Sequence, residues 1–131
     1  MTKLDLLKEI NSMYDHISQI SINADSESLL EELGTCNAYL GRSAQLQADA
    51  EEFLNIAKGE ASEKYFNSLK AMDERFNATQ SKLFVESRTI PEIKIYTLAE
   101  RLNRTITHRI ESIRSILSLE KQLRASAGSA R

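Results

Sequence analysis

A chain of 131 residues, 41% apolar and 27% charged, has the size and composition of one folded domain and not those of a disordered polyelectrolyte. Its single cysteine, Cys36, excludes an internal disulfide framework and any multi-cysteine zinc site, and it suits a reducing compartment. The net charge of −2 conceals an asymmetry: residues 1–60 carry four basic against eleven acidic side chains, net −7, and residues 61–131 carry thirteen against eight, net +5. Either the two halves complement each other, within the fold or across an oligomer contact, or the basic half meets an external anion. Four glycines, one proline and an abundance of Leu, Ala, Glu, Lys and Ser point to few, long helices.

In chain order, residues 2–20 place Leu7, Ile10, Tyr14 and Ile17 three and four apart, with Leu4, Met13 and Ile20 widening the stripe, which predicts a first amphipathic helix. The pattern stops at residues 23–26, where Asp25 or Ser26 can cap the next helix. From Glu27 a seven-residue pattern runs through Leu33, Cys36, Leu40, Ser43, Gln47, Ala50, Leu54 and Ala57. Beside it Gly34, Gly41 and Ala48 recur every seven residues; glycine inside a helix costs about 1 kcal/mol relative to alanine, and close approach of a neighbouring helix is the structural reason to expect it. A backbone surface opened for a ligand is the other. Cys36, in the same stripe, reads as a small buried hydrophobe.

Gly59 is either tolerated within a helix running on towards Arg88, giving an elongated coiled-coil-like body, or marks a break at 58–62. Beyond it, Tyr65, Leu69, Met72, Phe76, Thr79 and Leu83 form another heptad row. Ser87 to Pro91 is the clearest boundary, with Thr89 and Glu92 spaced as a capping box. The last helix should start near Pro91 and end around Leu123. The fold class is therefore all-α: three or four long antiparallel amphipathic helices, as a bundle or an elongated coiled-coil-like body. One helical domain spans 1–125, and 126–131 form a flexible tail.

On the last helix the row Ile95, Leu98, Leu102, Thr105, Arg109, Ser112, Ile116, Leu119 and Leu123 is apolar at its ends and polar in its middle, and a second row, Ile106, Ile110, Ile113 and Leu117, lies beside it. Asn103, Thr107 and Arg114 form one flank, Arg101, Thr105, His108 and Ser112 the other. An unpaired guanidinium in a core costs several kcal/mol, so Arg109 must be paired or reach water. Two roles fit: a polar layer fixing how helices meet, or an anion site gathering Arg101, Arg104, His108 and Arg109. No catalytic, phosphate-loop or metal motif is present, which predicts no enzyme and no cofactor. Low aromatic content, 6% with no Trp, weighs against base-stacking recognition.

The stretches "AERLNRTITHRIESIRSILS" (99–118) and "YLGRSAQLQADAEEFLNIAKGEA" (39–61) resemble a group of small, uncharacterised helical proteins of tailed phages and prophages, over about a third of the chain. The resemblance implies a phage setting, sometimes beside recombination functions, and no chemistry. Together these features lead us to expect an oligomeric, non-enzymatic accessory protein, supporting DNA recombination or replication by binding a protein partner. The alternatives are an anion binder, for single-stranded nucleic acid or a nucleotide signal, and a structural component of the phage particle. The N-terminus has no signal-peptide pattern and no stretch reaches membrane-span length, so a cytoplasmic place in a bacterial host, without membrane contact, is expected.

Overall fold

The computed structural model describes residues 1–19 and 25–129, which form four helices and no strand. α1 spans Lys3–Ser18. Thr2 caps it reciprocally: the Asp5 amide donates to Thr2 Oγ1 and the Thr2 amide to Asp5 Oδ2, both at 3.1 Å. Its buried stripe is Leu6, Ile10, Met13 and Ile17. That is a slight rotation from the expected row, with Leu7 and Tyr14 half-buried on the flank and Leu4 exposed. Ile20 and the interruption at 23–24 lie outside the described residues.

α2, Ser26–Met72, is capped by Asp25, whose Oδ1 accepts from the Ser28 amide at 2.8 Å. It passes through Gly59 unbroken, so the glycine is tolerated and there is no break at 58–62, but the helix ends at Met72, well short of Arg88. Asp73 takes the left-handed conformation, φ 51°, and the Glu74 amide donates back to Leu69 O at 3.0 Å, closing the helix end. After this turn Asn77 caps α3, Ala78–Arg88, accepting from the Gln80 amide at 3.1 Å. The heptad row predicted across this region is thereby cut: Tyr65 and Leu69 are buried, whereas Met72, Phe76, Thr79 and Leu83 are exposed.

The boundary at Pro91 is present, but Thr89 does not cap. Its hydroxyl donates back to Val85 O at 2.8 Å, and the Glu92 carboxylate accepts instead from Lys3 Nζ at 2.8 Å. α4 runs from Ile90 to Ser129, so 126–129, expected as a tail, are helical.

Cross-helix contacts set the directions. Ser26 Oγ donates to the Glu120 carboxylate and Asn103 Nδ2 to Ser43 Oγ, so α2 and α4 run oppositely. α1 runs with α4, meeting Glu92 through Lys3 and Arg109 through Ile17, and against α2, through Glu9–Arg42 and His16–Glu32. α3 returns along the far part of α2, where Tyr65 OH donates to Asn77 O at 3.3 Å. At about 1.5 Å per residue α1 is about 24 Å long and α2 about 70 Å, so the first helix covers only part of the second. Three helices enclose the core at one end; two remain at the other, and no residue of α3 is fully buried.

On α4 the buried positions are Ala99, Leu102, Ile106, Ile110 and Ile113. The first heptad row is therefore not the seam. Of its members only Leu102 is buried, while Ser112, Leu119 and Leu123 are exposed. The helix is rotated toward the isoleucine row because α1 and α2 then cover four large apolar side chains where the alternative would have buried Thr105, Arg109 and Ser112.

Candidate functional site

Arg109 is half-buried on the α1 side of α4, and its Nη2 donates to Ile17 O at 3.2 Å. The last carbonyls of a helix lack intrahelical partners and carry its partial negative charge, so a guanidinium there satisfies an acceptor and complements the dipole. Arg109 thus fastens the C-terminal end of α1 to α4. Its positive charge also reaches Cys36, fully buried beneath: burial pushes that thiol up, Glu32 adds to the shift and Arg109 partly opposes it. The thiol stays protonated and behaves as a small apolar group.

The other residues proposed for an anion site do not converge on Arg109. Arg101, Arg104 and His108 are exposed on the outer face of α4. Arg104 Nη2 lies 3.2 Å from Glu100 Oε1, and His108 Nδ1 3.7 Å from Glu111 Oε2, each pair within its own helix. Thr105 is half-buried, and Ser112, exposed, donates to His108 O at 2.9 Å. The expected cluster is in effect a solvated face with one arginine turned inward.

The polar contact inside the fold lies elsewhere. Ser43, fully buried on α2, accepts from Asn103 Nδ2 at 2.9 Å and donates to Leu40 O at 2.8 Å, while Thr107 Oγ1 donates to Asn103 O at 3.0 Å. This contact joins the two longest helices and fixes their register, since a shift by one turn would strand the Asn103 amide. The sequence held its signal: Ser43 is the sole hydroxyl among the apolar members of its row at 33–43. Nothing local, however, identified Asn103 as its partner.

An ion pair and a histidine–carboxylate contact hold α1 against α2. Arg42 grips Glu9 with a fork, Nε to Oε1 at 2.6 Å and Nη2 to Oε2 at 2.9 Å, which keeps the Glu9 carboxyl below its usual range. His16 Nε2 lies 3.2 Å from Glu32 Oε2, its ring edge-on to Tyr39. Among the described residues no ion pair joins an acid of 1–60 to a base of 61–131.

Gly34, Gly41 and Ala48 are exposed. A Cβ added at either glycine would meet no atom within 4 Å, so the close helix approach expected there does not occur within the chain. The region that sequence reasoning missed is the turn between α2 and α3. Phe66 and Phe76 stack with centroids 5.3 Å apart, Tyr65 sits edge-on to both, Phe84 closes against Tyr65, and the Arg88 guanidinium lies 4.8 Å from the Phe84 centroid. Phe66 and Phe76 are about half exposed. Had Asp73 been read as a stop and Asn77 with Gln80 as a cap, the cluster would have been legible.

These features define an all-helical protein whose polar interior groups serve helix-to-helix contacts. Among the described residues no helix is long and apolar enough to cross a membrane, and no group of three or more His, Cys, Asp or Glu side chains is placed to hold a metal ion. In comparisons with known proteins, no family model, curated protein or solved structure matches the chain.

Arg109→Met, which keeps the aliphatic stem and removes the donor, should lower stability by about 1 kcal/mol, read as a fall in the urea midpoint. A gain in stability would instead mean that the guanidinium is only tolerated.

Proposed function

We propose that the protein is an antiparallel helical-bundle interaction module, non-enzymatic, that acts by docking onto proteins. The observation that carries this reading is the apolar surface on the two-helix end: the stacked Phe66–Phe76 pair, Phe66 on α2 and Phe76 in the turn before α3, stands about half exposed. Aromatic groups held in one geometry at the surface bind with little loss of side-chain entropy. In the phage or prophage setting implied by the sequence resemblance, such a module would serve DNA recombination or replication proteins as an accessory, inside the host cell. Arg109 is turned inward to Ile17 O, and Arg104 and His108 each stand beside an acid of their own helix, Glu100 and Glu111, which supports protein docking over anion binding.

The test is a pair of binding measurements. Wild type and Phe66→Ser/Phe76→Ser proteins are used as bait in lysate of infected cells, and labelled single-stranded DNA is titrated at two salt concentrations. A specific protein captured by wild type and lost with the double variant, whose helicity is unchanged, is the expected result. DNA binding that weakens steeply with salt and disappears in Arg101→Ala/Arg104→Ala would overturn the reading in favour of an anion binder.

A further inference from the structure

The middle of α2 gathers like charges beside open apolar groups. Asp49, Glu51 and Glu52 have no Lys or Arg three or four residues away on the helix, and among the described residues none of them is in an ion pair. Asp49 accepts from Gln45 Nε2 at 3.2 Å, and the cation that feels its charge, Arg42, is already forked onto Glu9. Among these acids stand Ile56, 53% exposed, Met1, 58% exposed, and the half-buried Phe53. Ala48, Glu52 and Ile56 are spaced four apart and form one ridge of the helix surface. A shallow hollow lies on each side of it, one of about 320 Å³ bounded by Met1, Asp49 and Phe53, the other of about 470 Å³ bounded by Glu51 and Asn55.

We propose that this face of α2 docks a basic amphipathic helix of a protein partner, which sets apolar side chains against Ile56, Phe53 and Met1 and Lys or Arg against Asp49, Glu51 and Glu52. It is a second docking surface, about 15 Å along the helix from Phe66, so it and the Phe66–Phe76 surface stand or fall separately.

Charge complementarity selects the occupant. A neutral apolar helix would cover Ile56 at the cost of desolvating unpaired carboxylates, and an acidic one would add to their repulsion. A bare cation would leave Ile56 and Met1 in water, and among the described residues no three acids are placed to hold a metal ion. Lysine and arginine satisfy both demands, since their aliphatic stems lie along apolar surface while the charged heads reach the carboxylates. The shape fits a helix: hollows beside a ridge of every fourth residue are the grooves into which the side-chain ridges of a second helix pack. From Asp49 to Ile56 the face is only about 10 Å long, so binding is weak and sensitive to salt.

The test uses the full chain and a labelled synthetic peptide of about 18 leucine and lysine residues, patterned as an amphipathic helix and long enough to form one. Its binding, read by fluorescence anisotropy at low salt, should weaken as salt rises. Asp49→Asn/Glu52→Gln should raise the dissociation constant about tenfold, and Ile56→Ser, at an exposed position where helicity is kept, by about as much. Glu27→Gln/Glu31→Gln makes the same charge change about 30 Å or more from Glu52, beyond the screening length, and should alter binding less than about twofold; Phe66→Ser/Phe76→Ser should do the same. Three results overturn the proposal: no binding at low salt, an equal loss in the Glu27→Gln/Glu31→Gln protein, or equally tight binding of pentalysine, which has no apolar face. Binding lost in Phe66→Ser/Phe76→Ser and kept in Ile56→Ser overturns it too, while leaving the module reading standing. Light scattering that shows a dimer abolished by Ile56→Ser would make a second copy the occupant and overturn the basic partner.

Discussion

Ile106→Ala is expected to lower the unfolding free energy by about 3 kcal/mol, whereas Leu119→Ala, on the same helix, should stay within about 0.5 kcal/mol of wild type. Ile106 is fully buried where α1, α2 and α4 meet, in the cluster that includes Leu6, Ile10, Cys36 and Leu102. Truncation there removes transfer free energy and leaves a cavity that three packed helices cannot easily close. Leu119 is exposed beyond this cluster and its loss costs little more than helix propensity. Urea unfolding of the two variants reads the difference directly. Equal effects would mean that α4 is rotated to bury the row of Leu98, Leu102, Thr105 and Arg109 instead.

Lys3→Met is expected to cost about 2 kcal/mol at pH 7 through its partner. Glu92 is only 8% exposed; its Oε1 accepts from Lys3 Nζ at 2.8 Å, and its Oε2 is buried without a hydrogen-bond partner. Removing the ammonium leaves that carboxylate buried and uncompensated, a loss of about 3–5 kcal/mol when both partners are fully buried and smaller here because the lysine side chain is 49% exposed. Glu92→Met added to Lys3→Met should recover most of the loss, since an apolar pair leaves no charge to solvate.

The same contacts set the acid response. The hydrogen bond from Lys3 holds the Glu92 carboxyl below its usual 4.5 against the opposing effect of burial, and the Arg42 fork does the same for Glu9. Folded values below unfolded ones mean that this stability is fully present above about pH 4.5 and is lost as pH falls through the folded values. Asp5 and Asp25 are held low by the amides and hydroxyls they cap, and they add to the decline below the usual 3.8. The urea midpoint should therefore be flat from pH 7 to 5 and drop below 4.5, less steeply in Lys3→Met. A variant as destabilised at pH 3 as at pH 7 would show that the ion pair is not the source.

Much of the helical framework is local and was readable as such. Asp25 caps its helix through the amide of Ser28, three residues away, and the Pro91 boundary follows from a steric rule between neighbours. The turn after Met72 is also local, yet the heptad row that runs on through Phe76 and Leu83 concealed it. Periodicity competes with a single left-handed residue, Asp73, and in the sequence the periodicity is the louder signal.

By itself, then, the sequence determined that the chain is helical, where the helices beginning near residue 26 and residue 90 start, and that Arg109 needs a partner. Those properties depend on residues within a turn or two of each other. Tertiary structure alone decided which of two adjacent rows on α4 faces inward, that Arg109 reaches Ile17 O, that Ser43 meets Asn103 across sixty residues, and that the glycine flank of α2 is open. The two rows differ by a rotation of about 100° per residue, and both are amphipathic. The choice between them is made by the summed burial against α1 and α2, which exists only once three helices are packed together.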